Sequence, residues 1–257
     1  MWAAQGLAPG VRAWASGESV AIVSPALSRR DRLAVHGDVA AVTGLVRHAL
    51  AECGPSYRPF GAEDLVRAIS ERVPEVSFGA TFDWMDTDRL STVGPAGRAD
   101  GAYGVGWLEE TDWPGVATLL AEAAPSSYAV PGLPGVRRWV GVRWAGELVA
   151  VAADAWSAPT VGLIAGVATA PGHRGRGHAE AVCRLAAETL LAAHGRVGLM
   201  VDNWNHVAVR LYERLGLRRR PVAAARVSDA DHEGGSGRTH RPSETARPAR
   251  TESARRG

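Results

Sequence analysis

The chain contains no lysine; all 29 Lys-or-Arg positions are arginine. That excludes a P-loop, whose Gly-Lys-Ser/Thr run needs the ammonium group. Cysteine is scarce too. Cys53 and Cys183 stand far apart with no neighbour at metal-ligand spacing. A disulfide framework and a zinc site are therefore excluded, and no metal is expected. No apolar run approaches the length of a membrane span, and Met1–Ser16 lacks a basic region followed by a continuous apolar one. The expectation is a cytoplasmic protein with no membrane partner. A net charge of +2 is too mild to argue for a nucleic-acid partner.

What remains is a chain of 257 residues, 46 % of them apolar, enough for one large domain or two modest ones. The first stretch, residues 1–85, reads as a small α/β unit. It has strand candidates at Ser19–Val23, Arg32–Val35 and Val76–Trp84. Helical spacing of Val39, Val42, Val46 and Leu50 predicts a helix over Asp38–Cys53, and a weaker helix falls at Gly61–Val73. Residues 86–102 carry Gly94, Pro95, Gly97 and Gly101 and read as a linker. Residues 103–227 form the main domain. Strands are expected at Val105–Leu108, Val161–Thr169, Val197–Val201 and Pro221–Val227, with a hairpin of Arg138–Trp144 and Glu147–Ala155. Helices are expected after Asp112 as N-cap, over Gly177–Ala193, and over Asn205–Leu215. On the second of these, Glu180, Arg184 and Glu188 share a face expected to be solvated. Residues 228–257 are rich in Gly, Ser, Pro and Arg and are expected to be disordered.

The segment Val167-Ala-Thr-Ala-Pro-Gly-His-Arg-Gly-Arg-Gly-His-Ala179 is the most informative. A strand stops at Pro171–Gly172, and Arg174-Gly175-Arg176-Gly177 follows at the start of a long helix. A helix N-terminus leaves backbone N–H groups unpaired and carries partial positive charge. Glycine there lets the backbone close on a bulky anion such as a pyrophosphate. Arg174 and Arg176 can add charge-assisted contacts. A dinucleotide fingerprint fits poorly, because Glu180 stands where it wants a small residue. From the residues alone this is an anion-binding turn or a glycine-rich helix start.

The segment resembles the acetyl-CoA signature of the GNAT superfamily, Gln/Arg-x-x-Gly-x-Gly/Ala, with Arg174, Gly177 and Ala179 in the matching places. Downstream, Asn205-x-x-Ala208-x-x-Leu211-Tyr212-Glu213-x-Leu215-Gly216-Leu217 is similar to the superfamily's closing motif, at the interval the family shows. The resemblance is firm over Val161–Leu217 and extends to Tyr103 by element order. Residues 1–85 would then be a degenerate, GNAT-like half. It implies an α/β (α+β) fold with a mixed, splayed sheet flanked by helices, acting as an N-acetyltransferase on an amine of a small molecule or peptide. Acetyl-CoA would be the co-substrate. By the same analogy Val167, Ala168 and Thr169 would bond the pantetheine through their backbone. The amides of Gly175, Arg176, Gly177, His178 and Ala179 would hold the pyrophosphate, and Asn205 would contact the cofactor arm.

Acetyl transfer to an amine requires a proton for the departing thiolate. A phenol stays protonated near neutrality and can supply it. Tyr212 suits that role and matches the family's tyrosine; on its helix it shares a face with Asn205, Ala208 and Leu215, expected to line the cleft. No base is assigned. The strand before the turn has no carboxylate, and Asp154, Glu109, Glu110 and His173 read as solvated groups. Trp139, Trp144 and Trp156 suit either an apolar pocket or strand packing. A non-catalytic acyl-CoA-binding module is the alternative, and the oligomeric state is not encoded in any pattern.

Overall fold

The computed structural model describes residues 1–92 and 103–228. Most of the expected linker and all of the expected tail beyond Ser228 lie outside the described residues. A 3₁₀ turn at Trp2–Leu7 leads into β1 (Arg12–Ser16), β2 (Ser19–Leu27) and β3 (Arg30–His36). Then come α1 (Val39–Cys53), β4 (Arg58–Ala62), α2 (Glu63–Arg72) and β5 (Val76–Thr87). The second half runs β6 (Tyr103–Trp107), α3 (Trp113–Ala123), β7 (Val136–Trp144), β8 (Glu147–Ala155) and β9 (Gly162–Thr169). It closes with α4 (His178–His194), β10 (Val197–Val201), α5 (His206–Arg214) and β11 (Arg218–Val227).

All eleven strands form one sheet in the order β1-β2-β3-β4-β11-β5-β10-β9-β8-β7-β6. The order contains a repeat. In β2-β3-α1-β4-α2-β5 the first two strands are antiparallel and β4 returns parallel to β3. In β8-β9-α4-β10-α5-β11 the same holds for β8, β9 and β10. The last strand of each repeat has moved to the other: β5 pairs with β10, and β11 pairs with β4. The two exchanged strands also pair with each other, antiparallel over ten positions. The segments on either side of residues 93–102 therefore share a single hydrogen-bonded sheet.

The helices α1, α2, α4 and α5 cover one face. Val23, Leu33, Val46, Ile69 and Ala223 make one core there, and Met85, Val182, Leu190, Leu199 and Tyr212 make another. The opposite face is aromatic. Trp2, Phe60, Trp139, Trp156 and Val222 pack there with Val116, Leu119 and Leu120 of α3. Trp139 and Trp156 are buried packing residues, whereas Trp144 packs with the other cluster, so the three do not wall one pocket.

The hairpin turn Ala145–Gly146 has φ of 50° and 88°, the left-handed pair that matches strand twist in a two-residue connection. Three expectations need correction. The strand β4 was hidden by Pro59 and Gly61, which read against a central strand. Pro59 is tolerated because pairing with β11 starts only at Phe60. Asp112 makes no side-chain cap to α3; its carboxylate accepts from Glu109 N and pairs with Arg143 at 2.5 Å. Glu180 is buried rather than solvated, bonded to Arg214 of α5 at 3.0 Å and near Arg184 at 3.8 Å. Single-helix spacing could not show that α5 packs over that face.

Candidate functional site

β9 and β10 begin side by side and then part. Parallel pairing covers only Gly162–Ile164 against Val197–Leu199. Beyond Ile164, β9 pairs with β8 alone, through Ala165, Ala168 and Thr169. An extra residue at Gly166–Val167 makes the β8–β9 register shift, and Gly166 sits at φ 60°. A Cβ there would lie 2.7 Å from the Trp139 ring, so only glycine fits the bulge. The isolated glycine inside a strand pattern was the available signal for this bulge. The bulged strand turns away from β10 and leaves a gap beside Val167, Ala168 and Thr169. Thr169 Oγ1 is buried there with no hydrogen-bond partner among the described residues.

The chain leaves that gap through a 3₁₀ turn at Pro171–His173 and enters α4. Gly175 and Gly177 have φ of 76° and 84°, and a Cβ on either would meet nothing within 4 Å. No side chain caps α4. The first amide of this region to find a backbone acceptor within the helix is Ala181 N, on Gly177 O at 3.0 Å. The amides of Gly175 to Ala179 have no backbone acceptor among the described residues and stand at the positive end of a 17-residue helix. Arg176 is exposed beside them. Arg174 is exposed as well, but its guanidinium turns back to Thr169 O at 3.4 Å and Ala123 O at 3.5 Å. It ties the turn to β9 and to the end of α3. His178 is buried against Trp144 and His173, with ring centroids at 6.0 and 6.1 Å. Burial first, then His173 and Arg176, lower its pKa. Buried His173 Nδ1 also has no partner among the described residues. An anion at this helix start would meet amides, arginine and the imidazole pair. The residues fit a pyrophosphate.

A splayed parallel pair opening onto an uncapped, glycine-lined helix start agrees with the sequence match. Residues 104–217 match the acetyltransferase (GNAT) family. This part of the chain is a GNAT acetyltransferase domain. Acetyltransferases of this family use acetyl-CoA as co-substrate. A GCN5-related N-acetyltransferase from Kribbella flavida superposes with a TM-score of 0.58 at 20 % identity, covering 89 % of this chain and 93 % of its own. Another, from Sphaerobacter thermophilus, gives 0.52 at 16 % identity, covering 81 % and 76 %. These likenesses concern the fold, and their coverage extends it beyond the matched domain into the first half. No curated protein matches the chain.

Within the GNAT domain, Asn205 caps α5, its side chain accepting from Ala208 N at 3.2 Å. Tyr212 is buried in the cluster that holds Leu199 and Val201, the β10 residues where the strands part. Leu215 is buried with it, while Asn205 and Ala208 are half-buried. Burial first, then nearby Cys183, hold the Tyr212 phenol well above its usual pKa. It therefore stays protonated. The Cys183 thiol is likewise pushed up to about 12, chiefly by burial, and is inert core. Among the carboxylates considered for the base, Asp154 is not solvated: it accepts from Arg138 at 3.2 Å and from Ser157 at 2.6 Å. Glu109 is engaged in capping the turn before α3. Among the described residues no cluster of His, Cys, Asp and Glu suits a metal ion, and no helix is long and apolar enough to cross a membrane.

Proposed function

We propose that the protein is a cytoplasmic N-acetyltransferase that moves an acetyl group from acetyl-CoA directly to a primary amine of a small molecule or peptide, in a ternary complex. The observation that carries this reading is the meeting of two features at one end of β9. The sheet opens beside Val167–Thr169, and the next helix offers uncapped amides beside Gly175 and Gly177. One feature suits an extended amide-bearing arm and the other a pyrophosphate, and acetyl-CoA carries both in that order.

Acetyl-CoA supplies an activated thioester; the chain's residues bind, orient and move protons. In this reading the backbone of Val167, Ala168 and Thr169 pairs with the pantetheine as a missing strand would. The amides of Gly175, Arg176, Gly177, His178 and Ala179 hold the pyrophosphate. Arg174 braces the turn, and the Asn205 amide nitrogen, not used in capping, faces the arm. Tyr212 Oη donates the proton that the departing thiolate needs, its phenol being held protonated by burial. With Asp154 engaged, water takes the proton from the acceptor ammonium. The test is thiol release from acetyl-CoA against a panel of amines and short peptides, with product mass as readout. Acetylated amine establishes the transferase. Tight CoA binding with no release for any acceptor would instead make the chain a binding module.

A further inference from the structure

The gap between β9 and β10 has two faces, and they are lined differently. Leu199 is the last β10 residue paired with β9, and Ile164 the last β9 residue paired with β10. Met200 and Ala165 therefore flank the apex of the gap. In the proposed site the arm of acetyl-CoA runs from the pyrophosphate turn past Thr169 and Val167, so the thioester, at the arm's other end, comes to this apex. Side chains alternate between the faces of a strand. Ile164, Leu199 and Val201 belong to the cluster under α4 and α5, together with Tyr212. Ala165 and Met200 pack against the aromatic cluster on the opposite face.

The helix face is closed at this point, with Val182, Leu199, Tyr212 and Leu215 all buried. The aromatic face is not. Met200 lies directly opposite Trp84 in the pairing of β10 with β5. Trp84 covers Gly198, where a Cβ would come within 2.7 Å of the indole, and its ring is tilted against Trp2 with centroids 5.6 Å apart. Phe82, two residues earlier on β5, stacks on Phe60 with centroids 5.9 Å apart. Elsewhere in this cluster Trp139 and Val151 are fully buried, whereas Phe82, Trp84, Ala165 and Met200 are each only half-buried. Apolar surface is thus left open on the central strands of the sheet, beside the place where an acceptor must stand. The carboxylate that touches this wall is already engaged. Asp86 accepts from Trp84 Nε1 at 3.1 Å and pairs with Arg196 at 3.6 Å and Arg220 at 3.5 Å. Asp202, just past the end of β10, is exposed to solvent.

Resting on the transferase reading, we propose that the acceptor is a primary amine borne on an aromatic or aliphatic group, and that Phe82, Trp84 and Met200 hold that group while its nitrogen faces the apex. Aromatic rings and a thioether suit flat or flexible apolar partners. A carboxylate or second ammonium on the acceptor would lose water against this wall without gaining a partner. The same surroundings disfavour the acceptor's own ammonium and so favour the neutral amine that attacks. That suits a site in which water, not a carboxylate, takes the proton.

The test uses the full chain, acetyl-CoA, phenethylamine, hexylamine, and hexylamine analogues whose far end is a hydroxyl, a carboxylate or a second ammonium. Thiol release gives kcat/KM, and calorimetry on the CoA-loaded protein gives binding without turnover. The two apolar amines should exceed each analogue in kcat/KM by at least about tenfold. In Met200→Gln and in Phe82→Ser that advantage should shrink several-fold through KM with CoA affinity held, and Met200→Leu should keep it; melting curves check that each variant folds. Equal values across the series, or a preference for a charged analogue, overturn the proposal and leave the transferase reading standing. So does an advantage that persists undiminished in both folded polar variants. If no amine releases thiol, the transferase reading fails. Tighter binding of phenethylamine than of the charged analogues in calorimetry would then still support the apolar wall, and equal or absent binding would sink it as well.

Discussion

The same junction occurs twice in this molecule, and only one copy leaves its helix start without a side-chain cap. After β9, eight residues lead to α4, whose N-terminus is uncapped and faces open space at Gly175 and Gly177. After β3, only Gly37 and Asp38 precede α1. The Asp38 carboxylate accepts from Ala40 N at 2.9 Å and Ala41 N at 3.1 Å, taking the place an external anion would occupy. Ser19 closes the rest: its Oγ accepts from Asp38 N at 2.9 Å, and a Cβ on Gly37 would collide with it. The strands differ as well. β9 and β10 part after three pairs, whereas β3 and β4 stay together past theirs, with Gly61 packed against Val35 O. Identical topology thus gives opposite helix starts. What decides is whether the helix's first amides are satisfied internally or left for a ligand.

The contrast can be attacked where its effect is largest. Tyr212→Phe keeps the ring and its packing and removes only the hydroxyl. If proton delivery limits the rate, turnover should fall by about 10²-fold, with acetyl-CoA binding much less affected. Steady-state kinetics beside a direct binding measurement would decide; near-normal turnover would leave Tyr212 a packing residue. Gly177→Glu puts a carboxylate where Asp38 stands in the first half, at a φ of 84° that disfavours any side chain. CoA affinity by calorimetry should drop at least about tenfold, or about 1.4 kcal/mol. Unchanged affinity in a folded variant would move the pyrophosphate elsewhere.

The reverse change should do less. Asp38→Ala removes the α1 cap and should cost about 1 kcal/mol of stability, read by denaturant unfolding. It should leave CoA affinity unaltered, and titration should give one CoA per chain before and after. Two CoA bound to the wild type would show that the first junction also works and would end the contrast. The smallest effect is expected from ending the chain after Ser228, because residues 229–257 have a composition too polar to form a core. Melting temperature and CoA affinity should both hold; a large loss of either would show that this segment docks.

The sequence by itself determined most of the elements and the place of the uncapped helix start. Val182, Ala186 and Leu190 recur at helical spacing and lie buried on α4. Gly175 and Gly177 announced a helix start with no cap, because their φ values and missing side chains are local properties. Tyr212 was legible in its motif, and so was its protonated state, since a buried phenol moves only further from ionisation. What only the tertiary structure decided are the relations between distant segments. The exchange of β5 and β11 between repeats leaves no local trace, since an antiparallel strand reads alike beside either neighbour. The burial of Glu180 depends on α5 reaching over it, and Asp154 is withdrawn from the solvent by Arg138 and Ser157 across a hairpin. Arg32 is one arginine among 29 in the sequence, and only the fold lays it over the Phe60 ring. Periodicity reports which face of an element is apolar, whereas desolvation and pairing depend on what arrives from elsewhere in the chain.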